Sequence, residues 1–136
     1  MFFRFVSFNE PAISYKLDLD TFELKVLHRK KIPELVAFSD DFVTDEAFFP
    51  SKDGTMVHMF IVRKKNILPS LDHKPQKPLL TMLYAYGGFG HNQTPKYSNW
   101  RMLFMNNLDG VYCLVNIRGG GEYGSKWHTS GANKNK

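Results

Sequence analysis

Eight serines, at positions 7, 14, 39, 51, 70, 98, 125 and 130, are the candidate oxygen nucleophiles of this 136-residue chain, and none lies in Gly-x-Ser-x-Gly. That pattern matters because small flanking residues permit the strained strand-to-helix turn that exposes a reactive hydroxyl. Without it, no serine here has a structural reason to be reactive. The acids Asp40-Asp41 and Asp45-Glu46 read as solvated boundary residues, not as a general acid and base. The five histidines (28, 58, 73, 91 and 128) are too widely spread for ligand spacing, so they read as surface or packing side chains and no metal is expected. Cys113, the only cysteine, excludes an internal disulfide and lies in an apolar run, Gly110-Val-Tyr-Cys-Leu-Val115, as a buried structural thiol would.

Two glycine-rich segments remain. Gly119-Gly-Gly-Glu-Tyr-Gly124 satisfies G-x-G-x-x-G after an apolar run. A dinucleotide site, however, needs a helix opening on pyrophosphate and an acid about 20 residues further on. Trp127, Thr129 and Gly131 make a poor helical stripe, and there is no room for the acid before Lys136. The plainer reading is a Gly-rich turn after a strand. The second segment, Tyr84-Ala-Tyr-Gly-Gly-Phe-Gly90, ends another apolar run. A Tyr hydroxyl there can donate a hydrogen bond to a developing oxyanion, and the glycines let a substrate approach the backbone. An aromatic residue capping a strand before a glycine turn accounts for the same residues.

The elements that would carry these segments follow from hydrophobic periodicity. Phe2 to Phe8, Ala12 to Leu17 and Thr21 to His28 alternate in period two around polar turns, which predicts an antiparallel meander. A boundary is expected near residues 31 to 44, at Pro33 and Ser39-Asp-Asp41. Asp45 to Phe49 and Met56 to Arg63 flank Asp53-Gly54, a strong hairpin signal. Lys64 to Pro78 reads as an exposed loop. Pro78 to Tyr86 and Gly110 to Ile117 are nearly continuous apolar strands, suited to a sheet covered on both faces. Between them, residues 100, 103, 104 and 108 have helical spacing, so strand, helix and strand form a βαβ unit and the fold class is α/β. Composition agrees with a globular protein: 43% hydrophobic and 15% aromatic. No apolar run reaches the roughly 18 residues of a membrane span, and no signal peptide is evident, which makes a cytoplasmic address the default. The net charge of +5 is scattered over Arg29-Lys-Lys31, Arg63-Lys-Lys65, Lys74 with Lys77, and Lys134 with Lys136. These clusters read as solvated loop charge, and neither a nucleic-acid nor a membrane partner is expected.

Taken jointly, Phe48-Phe-Pro-Ser-Lys-Asp-Gly54, Met59-Phe-Ile-Val62, Leu83-Tyr-Ala-Tyr-Gly-Gly-Phe89 and Asn116-Ile-Arg-Gly-Gly-Gly-Glu-Tyr-Gly124 with Trp127-His128 resemble the prolyl oligopeptidases. These are serine peptidases with an α/β-hydrolase domain lidded by a β-propeller. The resemblance covers nearly the whole chain and is weakest over residues 1 to 34 and the Lys64 to Pro78 loop. It implies that residues 1–34 are the last strands of a propeller blade and residues 35–136 the N-terminal part of an α/β-hydrolase domain. It also implies that Tyr86 is the oxyanion-hole tyrosine and that Phe89 lines the pocket for the substrate proline. The Gly119 to Gly124 turn becomes a structural loop with no cofactor, and His128 a structural residue. Whole members hydrolyse the bond after proline in short peptides, as monomers. The family's serine, aspartate and histidine have no counterpart here, so the expectation is a fragment that is inactive by itself. Two other readings stay open: an interaction fragment pairing through exposed strands, and a nucleotide-binding domain. Uncovered, the strands at Leu79 to Tyr84 and Val111 to Ile117 would be prone to aggregate.

Overall fold

The computed structural model describes residues 1–30, 32 and 39–132. The expected boundary between residues 34 and 35, with Pro33, and the tail 133–136 lie outside the described residues.

Three short strands, β1 (Phe2–Phe5), β2 (Ile13–Leu17) and β3 (Leu24–Arg29), form the expected antiparallel meander in the order β1-β2-β3. The β2–β3 turn is set by Asp18, whose Oδ1 accepts the backbone N–H groups of Asp20 (3.0 Å) and Thr21 (3.1 Å). Strand β1 stops three residues before Phe8, because Phe8 leaves this sheet for the core of the next one. It is 3% exposed and packs edge-on against Phe60 (5.4 Å) and Tyr112 (6.1 Å). Burying a phenylalanine contributes about 1.5–3 kcal/mol, more than another residue or two of edge strand would return.

The second sheet contains β4 (Phe42–Pro50), β5 (Met56–Lys64), β6 (Thr81–Ala85) and β7 (Val111–Asn116) in the order β4-β5-β7-β6. The β4–β5 hairpin turns at Asp53-Gly54, where Gly54 takes φ +81°, a conformation open to glycine at little cost. Strands β4, β5 and β7 run antiparallel in turn, whereas β6 and β7 are parallel. Helix α1 (Asn99–Asn107) makes the crossover between them, so the βαβ unit expected from the sequence is present. Its buried methionines, Met102 and Met105, join Phe8, Phe42, Val62, Tyr112 and Leu114 in one cluster on one face of the sheet. A second, seven-residue helix α2 (Gly124–Ser130) follows β7, although the apolar stripe there is poor.

Several charges expected in solvent are built into this sheet. Arg63, read above as loop charge, is fully buried and pairs with Asp45 at 2.7 Å. Lys64 reaches Asp109 (3.0 Å) and the Asn106 carbonyl (2.6 Å), and Lys65 donates to the Asp40 carbonyl (2.7 Å). Asp45 and Glu46 are likewise not free boundary acids but strand residues with partners, Glu46 lying 3.0 Å from His58. The basic run thus closes the corner between β4, β5 and the end of α1. Nor do the two apolar strands share the exposure expected of them. All six residues of β7 are buried between β5 and β6, while β6 lies at the sheet edge with Leu83 63% exposed. Cys113 is buried in β7, and burial pushes its thiol pKa up, as for a structural cysteine. Among the described residues, no helix is long and apolar enough to cross a membrane.

Candidate functional site

Because β6 and β7 are parallel and paired as far as Ala85 opposite Val115, their carboxyl ends lie side by side. The tyrosine–glycine segment leaves one and the glycine-rich turn leaves the other. Loops beyond the carboxyl ends of parallel strands are where ligands meet open α/β sheets.

The two loops interlock through backbone. A Cβ on Gly87 would lie 2.3 Å from the Arg118 carbonyl oxygen and 2.5 Å from Ile117 Cγ1, so no side chain fits there. The Gly90 N–H donates to the Gly119 carbonyl (3.1 Å). The His91 N–H returns to the Gly88 carbonyl (3.1 Å), closing a tight turn whose central residues, Phe89 (φ +55°) and Gly90 (φ +67°), are both left-handed. Glycine accepts that conformation freely, but a phenylalanine there costs about 1–2 kcal/mol. The strained residue is also 86% exposed, so it gains no packing in return. Tyr86 is 36% exposed, with its ring centroid 6.4 Å from that of His91. Its phenol lies over Gly88, the hydroxyl 3.6 Å from the place a Cβ on Gly88 would occupy.

The loop after β7 is fastened on three sides. Arg118 pairs with Asp53 at 2.5 Å, tying the loop to the β4–β5 turn. Asp53 has its pKa lowered to about 2, first by the Thr55 backbone N–H, then by the Thr55 hydroxyl and Arg118. His128, on α2, meets the Gly119 carbonyl through Nδ1 at 2.8 Å, and the Gly119 N–H donates to the Trp127 carbonyl. The third fastening is a polar network that the sequence did not announce. Glu122 Oε1 accepts the Gln93 N–H (2.8 Å) and Asn116 Nδ2 (3.0 Å), and Asn116 Nδ2 also donates to the Gln93 carbonyl (2.8 Å). Below, Asn116 Oδ1 lies 2.8 Å from His58 Nδ1, and His58 Nε2 lies 3.0 Å from Glu46. The only advance signal was a polar residue, Asn116, closing an otherwise apolar strand.

This arrangement has consequences for the other motifs. Helix α2 does follow G-x-G-x-x-G, but the Glu122 carboxylate lies over Gly120, within 2.0 Å of where its Cβ would stand. The Gly119 and Gly124 N–H groups are committed to the Trp127 and Gly121 carbonyls. A pyrophosphate would meet an anion instead of free donors. Among the described residues, one serine hydroxyl is within hydrogen-bond distance of a histidine ring: Ser70 Oγ, 2.8 Å from His73 Nδ1. That contact is a local turn in the loop before β6, at the opposite end of the sheet. Also among the described residues, no group of three or more His, Cys, Asp or Glu is placed to hold a metal ion.

The described chain is sheet-rich with few helices, and its one parallel strand pair, joined by a crossover helix, carries an exposed tyrosine and interlocked glycine turns at its carboxyl ends. More narrowly, the chain is similar to the prolyl oligopeptidase family. The model of that family matches residues 95–136. A prolyl endopeptidase of Elizabethkingia miricola is 34% identical over all of this chain, and one of Dictyostelium discoideum is 35% identical, again over the full chain. A prolyl oligopeptidase of Omphalotus olearius is 48% identical over 68% of it. The structure of prolyl oligopeptidase B from Galerina marginata, bound to a 35mer hydrolysis and macrocyclization substrate, superposes with a TM-score of 0.85 at 31% identity over 98% of this chain. The chain spans 12% of the Omphalotus protein, 17% of the Dictyostelium one and 18% of the other two.

Proposed function

We propose that this chain contributes the oxyanion side of a serine endopeptidase site that cleaves after proline in short peptides. The observation that carries the reading is Tyr86: a solvent-facing phenol at the carboxyl end of β6, on a loop locked to its neighbour by Gly87 and Gly90. In such a site a serine attacks the peptide carbonyl, a histidine takes its proton and passes it to the leaving amine, and an aspartate orients the histidine. The Tyr86 hydroxyl donates a hydrogen bond to the oxygen on which negative charge develops. Phe89, held exposed at a left-handed position, offers an aromatic face to the substrate proline. On this reading residues 1–34 are propeller strands and residues 35–136 the start of an α/β-hydrolase domain. In its full-length form the enzyme is cytoplasmic and monomeric, acts on proline-containing peptides, and uses no cofactor, nucleic acid or membrane.

The 136 residues contain no Gly-x-Ser-x-Gly, so the chain by itself is expected to turn over no proline-containing fluorogenic peptide. Serine-inhibitor-sensitive turnover by the purified chain would contradict this. In an enzyme of the relatives' full length carrying these residues, Tyr86→Phe is expected to lower kcat about 100- to 1,000-fold with KM little changed, the usual cost of one oxyanion donor. A loss below about tenfold would remove Tyr86 from that role.

A further inference from the structure

We infer that Glu122, seated by Asn116 and His58, is a positioning residue that fixes the loop carrying Tyr86 and Phe89 over the end of β7. The inference rests on the reading that those two aromatics face substrate, but the clamp is defined by its own contacts. Gln93, at the far end of that loop, is held at both of its backbone polar groups by side chains from the β7 end. Its N–H goes to Glu122 Oε1 at 2.8 Å, and its carbonyl accepts Asn116 Nδ2 at 2.8 Å. This two-point grip resembles one rung of a β-ladder made by side chains, and it works where the parallel pairing of β6 and β7 has already ended.

The clamp is stiff because its own parts are held. Asn116 is 2% exposed, and its Nδ2 faces two acceptors, which fixes the orientation of the amide. Oδ1 must then face His58 Nδ1, so that ring nitrogen is the donor. His58 is itself buried on β5, with Nε2 toward Glu46 on β4. Three adjacent strands therefore converge on one backbone residue of the loop. Gly90, bonded to Gly119 nearer the aromatics, is the second attachment, and it shares the turn closed by Gly88 and His91 with Phe89. Glu122 connects to the aromatics through backbone and does not itself touch a reacting group.

Amide hydrogen exchange on the 136-residue chain, read by NMR, tests this without substrate. In the unsubstituted chain the Gln93 amide should exchange about 100-fold slower than an unstructured amide. Glu122→Ala should return it to within about threefold of the unstructured rate and shift the Phe89 and Gly90 resonances, while the Leu114 amide keeps its protection. Glu122→Gln should restore most of the protection, because the carboxamide oxygen accepts the same two hydrogen bonds. An unprotected Gln93 amide in the unsubstituted chain would overturn the clamp. So would a Glu122→Gln variant whose Gln93 amide exchanges within about threefold of the unstructured rate while Leu114 stays protected. Both readings stand even if Glu122→Ala does not fold. Tyr86→Phe should leave Gln93 protection unchanged, so a failure of the oxyanion assignment and a failure of the clamp are separate results.

Discussion

Strands β6 and β7 are parallel neighbours of similar apolar composition, yet they differ in burial and in what their ends do. Every residue of β7 is buried, whereas β6 lies at the open edge of the sheet with four of its five residues exposed, Leu83 and Tyr84 among them. The loops follow the strands. After β7, Asn116, Arg118 and Glu122 each spend their polar groups on a neighbour: Gln93, Asp53 and Asn116 respectively. After β6, Tyr86 and Phe89 leave their rings exposed to solvent. A side chain committed to the framework is poorly placed to meet a substrate, and a free one is poorly held. Here the two demands are divided between adjacent strand ends, the β7 loop supplying rigidity and the β6 loop supplying accessible groups. Rigidity of this kind matters to catalysis because a preorganised donor costs no reorganisation when charge develops.

The contrast is broken most directly in β7. Leu114 is 3% exposed and packs among Met102, Met105 and Val62. Leu114→Ala leaves a cavity in a close-packed core, and the expected loss is about 2–5 kcal/mol. Equilibrium urea unfolding of the chain should show a lower midpoint with an unchanged slope. A cost below about 1 kcal/mol would mean that β7 is not the packed centre of this sheet.

Much of this division was legible beforehand. The period-two strands, the Asp53-Gly54 turn and the βαβ unit all follow from local pattern, which is where sequence speaks most clearly. The glycine segments were legible as turns after strands, but the glycines after Tyr86 were expected to admit a substrate, whereas Gly87 and Gly119 are packed against each other's loop, where no side chain fits. What could not be read was partnership between distant residues. Arg63 looked like one more loop cation, and only the β4–β5 register brings Asp45 within reach. Glu46 and His58 are 12 positions apart, and His58 and Asn116 are 58 apart. Phe8 belonged by alternation to β1, but the deeper core of the second sheet claimed it. Helix α2 has no amphipathic signal because what holds it is the docking of its backbone on Gly119, not an apolar stripe.

A gentler perturbation acts on the fastening of the β7 loop. With its pKa lowered from 3.8 to about 2, Asp53 binds a proton less readily folded than unfolded. Its contribution to stability is therefore complete above pH 3.8 and is lost as pH falls toward about 2. Across that window the Asp53–Arg118 pair should open, and the Thr55 and Arg118 resonances should shift together while those of the Leu114 core do not. Asp53→Asn should remove the transition. A variant that keeps it would assign the titration to another carboxylate.

The smallest effect on folding is expected at the open edge. Leu83, 63% exposed on β6, points away from the cluster that holds Leu114, since it is paired with Cys113 on the opposite face. Leu83→Thr removes apolar surface that is mostly wet in the folded state, and β-branched threonine suits a strand, so stability should move by no more than about 0.5 kcal/mol. Association should change more. An exposed, low-charge edge strand is a template for pairing with another chain, and Thr81 to Ala85 carries no charge at all. Leu83→Lys should therefore reduce concentration-dependent self-association in sedimentation without lowering the unfolding midpoint, because one charge on the strand disfavours stacking of uncharged neighbours. Should either substitution cost as much as Leu114→Ala, the outer face of β6 is covered in solution, and the opposition drawn here between the two strands fails at its more exposed member.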